Sequence, residues 1–272
     1  MKIRRRRRYL LWGLVGVFGV MMFSVVGVLM ATDIIQNSWP EIVSGTCFEY
    51  DEEEHLERER AKLAAARGVI YLTFDDGPGP YTAELLDVLK RYGVKATFFV
   101  TGAGDDDLVA REYKEGHAVG LHTWSHDYAY IYGSVDNFMA DLARVQERVK
   151  NVTGQETQLM RFPGGSSNTV SRRYDGRSHI MSQLVGEVER RGYVYFDWNT
   201  DSGDAGGSRT TEAVIAQVTG GLKDGPNVVL QHDTKGFSVA AVENIIKYGR
   251  DNGYMFAALD KDAFTAHHGV NN

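Results

Sequence analysis

The sequence of 272 residues contains a single cysteine, Cys47. One thiol excludes an internal disulfide framework and a Cys-rich zinc site, so any metal must be held by His and carboxylate ligands. Outside one short stretch, positive charge is outnumbered by negative charge. The chain carries −6 at pH 7, and Lys2 with Arg4 to Arg8 supplies six positive charges, so the remainder carries −12. An acidic body of this kind argues against nucleic acid as a partner. The near-absence of cysteine fits a bacterial exterior better than a disulfide-rich eukaryotic secretome. With 43% hydrophobic and 24% charged residues the composition is that of an ordinary folded protein. The length allows one sizeable globular domain plus something extra.

The basic cluster runs directly into an uncharged, mostly apolar stretch from Tyr9 to Ala31. A bilayer core needs about 20 such residues, and the basic side is expected to stay cytoplasmic. Residues 1–31 therefore read as a cytoplasmic tail and single transmembrane anchor, which places the rest outside a bacterial cell membrane. The rival reading is a cleaved signal peptide. Such peptides usually have an apolar core of roughly 7–15 residues, and no small-x-small cleavage site precedes Thr32. Residues 32–67 read as an extracellular stem, with Asp51 to Arg67 dense in Glu, Arg and Ala as a solvated helical spacer.

From Gly68 onward, β-branched or aromatic runs alternate with amphipathic stretches, the signature of a parallel α/β architecture. Strands are expected at Val69–Phe74, Ala96–Val100, Ala118–Leu121, Leu159–Phe162, Val194–Trp198, Asn227–Gln231 and Tyr254–Ala257. Helices are expected from Thr82 to Tyr92, after a Ser134 N-cap up to Gly154, from Ser178 to Arg191 and from Ser238 to Asn252. A shorter helix is expected within Gly102–Glu115. The fold class is a distorted (β/α)7 barrel over residues 68–266, preceded by the N-terminal transmembrane helix. In such barrels the chemistry sits at the C-terminal strand ends. Asp75, Asp76, His122, His126, Arg161, Gly164, Asp201, Asp204 and His232 all fall there.

Thr73-Phe74-Asp75-Asp76-Gly77 places adjacent carboxylates after an apolar strand, so that one can ligate a metal while its neighbour faces the reacting water. An Asp-Gly turn is the plain alternative. His122-Thr123-Trp124-Ser125-His126 spaces two imidazoles four residues apart. On one helical turn that spacing brings both to one face, with Thr123 or Ser125 capping the turn. Two exposed loop histidines are the alternative there. Together with a carboxylate from the first strand the pair supplies three N/O ligands and an open position, the pattern of a catalytic site. His117 reads as structural, and His267 and His268 as tail residues.

Thr73 to Gly77 and His122 to His126 resemble the first two signature motifs of the polysaccharide deacetylases, the carbohydrate esterase family with the NodB homology domain. The chain also resembles that family at Arg161 to Gly165, at Asp201-Ser202-Gly203-Asp204 and at Leu230-Gln231-His232, all in family order. The resemblance implies metal-dependent removal of acetyl groups from the amino sugars of a cell-wall polysaccharide, with peptidoglycan foremost. It implies Asp75 as general base, Asp76, His122 and His126 as ligands of one divalent ion, and Arg161 as the partner that orients Asp75. Zn²⁺ is the expected ion, with Co²⁺ or another divalent ion as alternatives. The Gly164 N–H would help bind the oxyanion. His232 would be the general acid, tuned by Asp204, and Leu230 would line the pocket for the acetyl methyl group.

Two positions depart from the family pattern. The third motif usually reads Arg-Pro-Pro-aromatic-Gly, and Gly164 replaces the aromatic. The fourth normally ends Asp-Trp, and Ala205 follows Asp204, which leaves Trp198 or Phe196 to compensate. Two other functions fit the same fold: an O-acetyl sugar esterase, and a catalytically inactive glycan-binding protein. A positioned acid at His232 favours amide cleavage, because an amine leaves less readily than an alcohol.

Overall fold

The computed structural model describes residues 66–176 and 179–271. The expected anchor over Tyr9–Ala31, Cys47 and all but the last two residues of the stem lie outside the described residues. Among the described residues no helix is long and apolar enough to cross a membrane.

Among the described residues eight parallel strands alternate with helices, except that β5 runs on to β6 without one. They are β1 (Gly68–Asp75), β2 (Thr97–Val100), β3 (Ala118–Leu121), β4 (Leu159–Met160), β5 (Val194–Tyr195), β6 (Thr200–Asp201), β7 (Gly225–His232) and β8 (Tyr254–Phe256). Their hydrogen-bonded order is β5-β4-β3-β2-β1-β7-β6, with β8 on the lower half of β1. Seven of these coincide with the expected strands. The eighth, β6, has only two residues and was not anticipated, because so short a segment carries no periodicity to read.

Side-chain alternation on the strands separates two environments. Ile70, Leu72 and Phe74 of β1 point outward into the large core shared with the helices, as do Phe98 and Val100 of β2. Tyr71, Phe99 and Val228 point the other way, into a smaller cluster with Phe196 and Leu259. The register pairs Tyr71 with Val228, Thr73 with Leu230 and Asp75 with His232. Thr73, Asp75, Leu230 and His232 therefore share the inner face, with the two chemistry-bearing residues at its upper end.

The helices are α1 (Thr82–Tyr92), α2 (Asp106–Lys114), α3 (Tyr128–Ile131), α4 (Val135–Thr153), α5 (Ile180–Arg190), α6 (Thr211–Gly221) and α7 (Gly236–Asp251). The Ser134 hydroxyl accepts from the Asn137 N–H at 3.1 Å, and α4 ends at a left-handed Gly154, as its sequence pattern implied. α7 starts two residues ahead of Ser238. α3 and α6 are additions to the expected helices. α6 is a mixed run of small and β-branched residues with little one-sided character, which hides it from a periodicity reading.

No ladder joins β5 to β6 among the described residues. The C-terminal segment lies there instead. The Asp197 N–H donates to the Ala266 carbonyl at 2.9 Å, and the His267 ring stacks on Tyr195 at 3.9 Å. His268 donates its N–H to Asp197 Oδ2 at 2.8 Å, and its Nε2 lies 2.6 Å from the Trp198 carbonyl. These two histidines are thus fastened to the fold and are not loose tail residues. Asp197 is the anchor: its fully buried carboxylate also accepts from the Ser166 N–H at 2.8 Å and the Ser166 hydroxyl at 2.5 Å.

Asp197→Asn replaces one accepting oxygen by a donor facing donors. Hydrogen bonds to a charged group are worth about 1.5–3 kcal/mol, so the variant should unfold at clearly lower denaturant than the wild type. An unchanged midpoint would show that the C-terminal segment is not held through Asp197.

Candidate active site

At the top of β1 the backbone turns sharply. Asp76 adopts a left-handed φ of 71°, a conformation that costs a non-glycine residue energy and is retained where the surroundings require it. The turn sends the adjacent carboxylates in different directions. Gly77 follows because its Cα lies against a buried carboxylate: a Cβ there would sit 2.3 Å from Asp233 Oδ2. Its role is close approach as well as turn chemistry. Burial pushes the Asp233 carboxyl up to about 6, and the Thr82 hydroxyl donates to it.

Asp75 points inward to Arg161, whose Nη1 donates to Asp75 Oδ1 at 2.8 Å. The guanidinium also donates to Thr73 Oγ1 at 2.7 Å, the Phe196 carbonyl at 2.8 Å and the Asp197 carbonyl at 3.0 Å. Four acceptors fix this planar cation in one orientation. Asp75 Oδ2 is left facing the site, 3.8 Å from His122 Nε2.

Asp76 points to the histidines. Its Oδ1 lies 3.5 Å from His122 Nε2 and 3.3 Å from His126 Nε2, and one ligand atom from each of the three residues falls within 4.8 Å of the others. His122 Nδ1 lies 2.9 Å from the Arg161 carbonyl. A carbonyl only accepts, so Nδ1 carries the proton and the Nε2 lone pair faces Asp76. Burial holds His122 below the ordinary histidine range, which keeps that lone pair available. Asp76 Oδ1 is buried without a hydrogen-bond partner among the described residues. Buried, it would raise the Asp76 pKa, but the fields of His122, His126 and His232 outweigh this and hold the carboxyl below its usual range. An unpartnered carboxylate oxygen facing two Nε2 atoms fits a divalent cation.

The histidine segment is not the helical turn its spacing suggested. Residues 122–127 form a loop, with Thr123 at φ 65° and His126 at φ 51°. Neither Thr123 nor Ser125 caps a turn holding both rings. Asp141 of α4 organises the loop, accepting from the Trp124 N–H at 2.7 Å and the Ser125 N–H at 2.9 Å. The rings still converge, with centroids 5.1 Å apart. Trp124 lodges between the Gly102 backbone and the Arg144 guanidinium, 4.1 Å from its ring.

Across the site His232 is clamped by Asp204. The His232 N–H donates to Asp204 Oδ2 at 2.9 Å, and Nδ1 lies 2.7 Å from Oδ1. The carboxylate requires the proton on Nδ1. Burial disfavours the imidazolium, but the bond and charge of Asp204, with Asp75 and Asp76 nearby, outweigh it and raise His232 above the usual histidine value. His232 Nε2 lies 3.8 Å from Asp76 Oδ2. Asp201 is exposed and binds only the Gly203 N–H in its own turn, so Asp204 alone of the pair reaches His232. Leu230, two residues before His232 on β7, lies buried on the same face. Gly164 sits in the turn after Pro163 at φ 76°.

A polysaccharide deacetylase family model matches residues 62–179. A peptidoglycan-N-acetylglucosamine deacetylase of Bacillus cereus is 36% identical over 205 residues, 72% of this chain and 71% of that protein. The chain belongs to the polysaccharide deacetylase family. It is accordingly a hydrolase with a NodB-like parallel α/β fold. The catalytic domain of a peptidoglycan N-acetylglucosamine deacetylase from Eubacterium rectale is 50% identical, with a TM-score of 0.73 over 75% of this chain and 94% of that one. The polysaccharide deacetylase Bc1974 from Bacillus cereus is 35% identical, with a TM-score of 0.62 over 74% of this chain and 96% of that one.

Asp76 meets His122 and His126, Asp75 meets Arg161, and Asp204 meets His232, while Gly164 lies in the turn after Pro163 and Leu230 on the inner face of β7. Sequence reading passed over Asp141, Asp197 and Tyr128. Asp197, between the apolar Phe196 and Trp198, was legible as a polar residue at a strand end. Asp141 lies within a helix and gave no signal. Of the two aromatics considered as substitutes for the missing tryptophan, Phe196 is committed to the inner core, and Trp198 lies over Arg161 at 5.8 Å and against Gly165.

The Asp204 contact fixes a titration. In Asp204→Asn the raising influence is lost while burial still disfavours the imidazolium, so His232 should titrate at lower pH in histidine NMR spectra. An unmoved titration would show that Asp204 does not control His232.

Proposed function

We propose that the enzyme hydrolyses the N-acetyl group of N-acetylglucosamine in peptidoglycan, releasing acetate and leaving a free amine on the glycan. The observation that carries this is the convergence of Asp76 Oδ1 on the His122 and His126 Nε2 atoms at 3.5 and 3.3 Å. An Asp75–Arg161 pair flanks it on one side and a His232–Asp204 pair on the other. Base and acid across a cation site are what hydrolysis of an unactivated amide requires. Relatives in Bacillus cereus and Listeria monocytogenes are named peptidoglycan-N-acetylglucosamine deacetylases, which supports the sugar.

Asp76, His122 and His126 would hold one divalent ion. Two nitrogens and one carboxylate suit Zn²⁺, with Co²⁺ as the alternative. When bound, the ion supplies Lewis-acid polarisation of the acetamide carbonyl and acidifies water at the site. Asp75, held through Oδ1 by Arg161, uses Oδ2 to take a proton from the attacking water. The Gly164 N–H donates to the oxyanion that develops on the former carbonyl oxygen. His232, its Nδ1 proton fixed by Asp204, presents Nε2–H to the departing amine, whose C–N bond breaks as it accepts that proton. Leu230 borders the space for the acetyl methyl group. The raised pKa of His232 keeps it a proton donor near neutrality.

We also infer that the domain works outside a bacterial membrane to which Tyr9–Ala31 tethers it. The six basic residues before that run support this topology, and a wall glycan substrate is consistent with it.

Acetate release from N-acetylglucosamine oligomers, purified peptidoglycan and O-acetylated xylan, assayed side by side, tests the activity. Release from the first two should dominate, and release from xylan alone would make the enzyme an esterase. kcat/KM should be bell-shaped in pH, with a basic limb set by His232. His232→Ala should lose about 10²–10⁴-fold on N-acetyl sugars and far less on an activated acetyl ester. Equal losses on both substrates would contradict its role as proton donor.

A further inference from the structure

The Gly164 position leaves a gap where the family pattern has an aromatic side chain, and a tyrosine from elsewhere in the chain fills it. A Cβ built on Gly164 would lie 3.1 Å from Tyr128 Oη and 3.5 Å from Tyr128 Cε1. Tyr128 opens α3, two residues after His126, and its ring meets the His126 ring edge-on at 5.3 Å and 88°. One phenol therefore spans from a cation-binding histidine to the backbone turn proposed to bind the oxyanion.

This placement is braced. Asp127 caps α3 by accepting from the Ala129 N–H at 3.0 Å. From the other end of the short helix, Tyr132 donates its hydroxyl proton to the Pro163 carbonyl at 2.6 Å, tying α3 to the residue before Gly164. The Tyr128 and Tyr132 rings lie 5.7 Å apart, so the second tyrosine also backs the first. While Tyr132 has its partner, the half-buried Tyr128 hydroxyl has none among the described residues, and neither has the Gly164 N–H. Neither donor is engaged within the fold, and the Tyr128 hydroxyl lies beside the Gly164 turn. A phenol held this way is preorganised for charge that develops only during reaction.

We propose that the Tyr128 hydroxyl is a second oxyanion donor, acting with the Gly164 N–H on the former acetamide oxygen. This rests on the deacetylase reading above. The wall of the site beside Gly164 is then supplied by a tyrosine from the loop after the second motif. Tyr128 touches the reacting atoms and is a catalytic residue in this sense.

The test compares full-length wild type, Tyr128→Phe and Tyr130→Phe, with Tyr130 as an exposed tyrosine on the same helix. Removing one oxyanion donor costs roughly 10²–10³-fold in kcat. Tyr128→Phe keeps the ring against His126, so divalent metal content and KM for N-acetylglucosamine oligomers should stay at wild-type values while kcat falls by that factor. A phosphonamidate analogue of the tetrahedral intermediate should bind more weakly by a similar factor, and Tyr130→Phe should behave as wild type. Unchanged kcat in Tyr128→Phe overturns the assignment. So does a raised KM at constant kcat, which marks a sugar contact, and so does lost metal, which marks support of His126. An inactive wild type is a separate result, since it overturns the deacetylase reading itself.

Discussion

A fully buried guanidinium holds the site together. Arg161 has no solvent contact, and an unpaired cation in such a place would be prohibitively costly. It is accommodated because four acceptors from two parts of the sheet converge on it: Thr73 and Asp75 at the end of β1, and the carbonyls of Phe196 and Asp197 beyond β5. Phe99 covers one side of the guanidinium at 4.4 Å. Its own carbonyl takes the Nδ1 proton of His122. One residue thereby orients the Asp75 carboxylate and fixes the tautomer of His122, a candidate cation ligand. A lysine, with a single ammonium and no planar fork, cannot make the same set of contacts.

The same logic of paired groups runs through the rest of the rim. Three carboxylates lie near one another, and each has a different environment. Asp75 faces Arg161, Asp204 faces His232, and Asp76 keeps an oxygen without a hydrogen-bond partner among the described residues. Their separation depends on backbone conformation as much as on charge. The left-handed turn at Asp76 divides it from Asp75, and the turn from Asp201 to Asp204 leaves the first carboxylate in solvent and the second buried against His232. The neighbouring histidines hold Asp76 below the usual carboxylate range, and Asp204 raises His232 above the usual histidine value.

Much of this was legible in the sequence, for identifiable reasons. Strands and long helices were readable because burial imposes periodicity: β1 and α4 match their patterns to within a residue or two. The site was readable because special polar residues sit directly after apolar strands. What escaped was set by tertiary contact. The loop from His122 to His126 has helical spacing, yet Asp141 bonds its amides and keeps it irregular. The closing role of His268 depends on Asp197 and that of His267 on Tyr195, each some 70 residues earlier. Tyr128 near Gly164 is likewise a pairing across the chain, without a local signature.

In the proposed mechanism two neighbours divide the labour: Asp76 would hold the cation and Asp75 would move the proton. Equilibrium metal binding by Asp75→Asn and Asp76→Asn, followed by calorimetry alongside acetate release from N-acetylglucosamine oligomers, tests it most directly. Asp75→Asn should keep near-wild-type metal affinity without turnover, and Asp76→Asn should lose both affinity and turnover. Equal metal affinities in the two variants, or the reverse order, would contradict it.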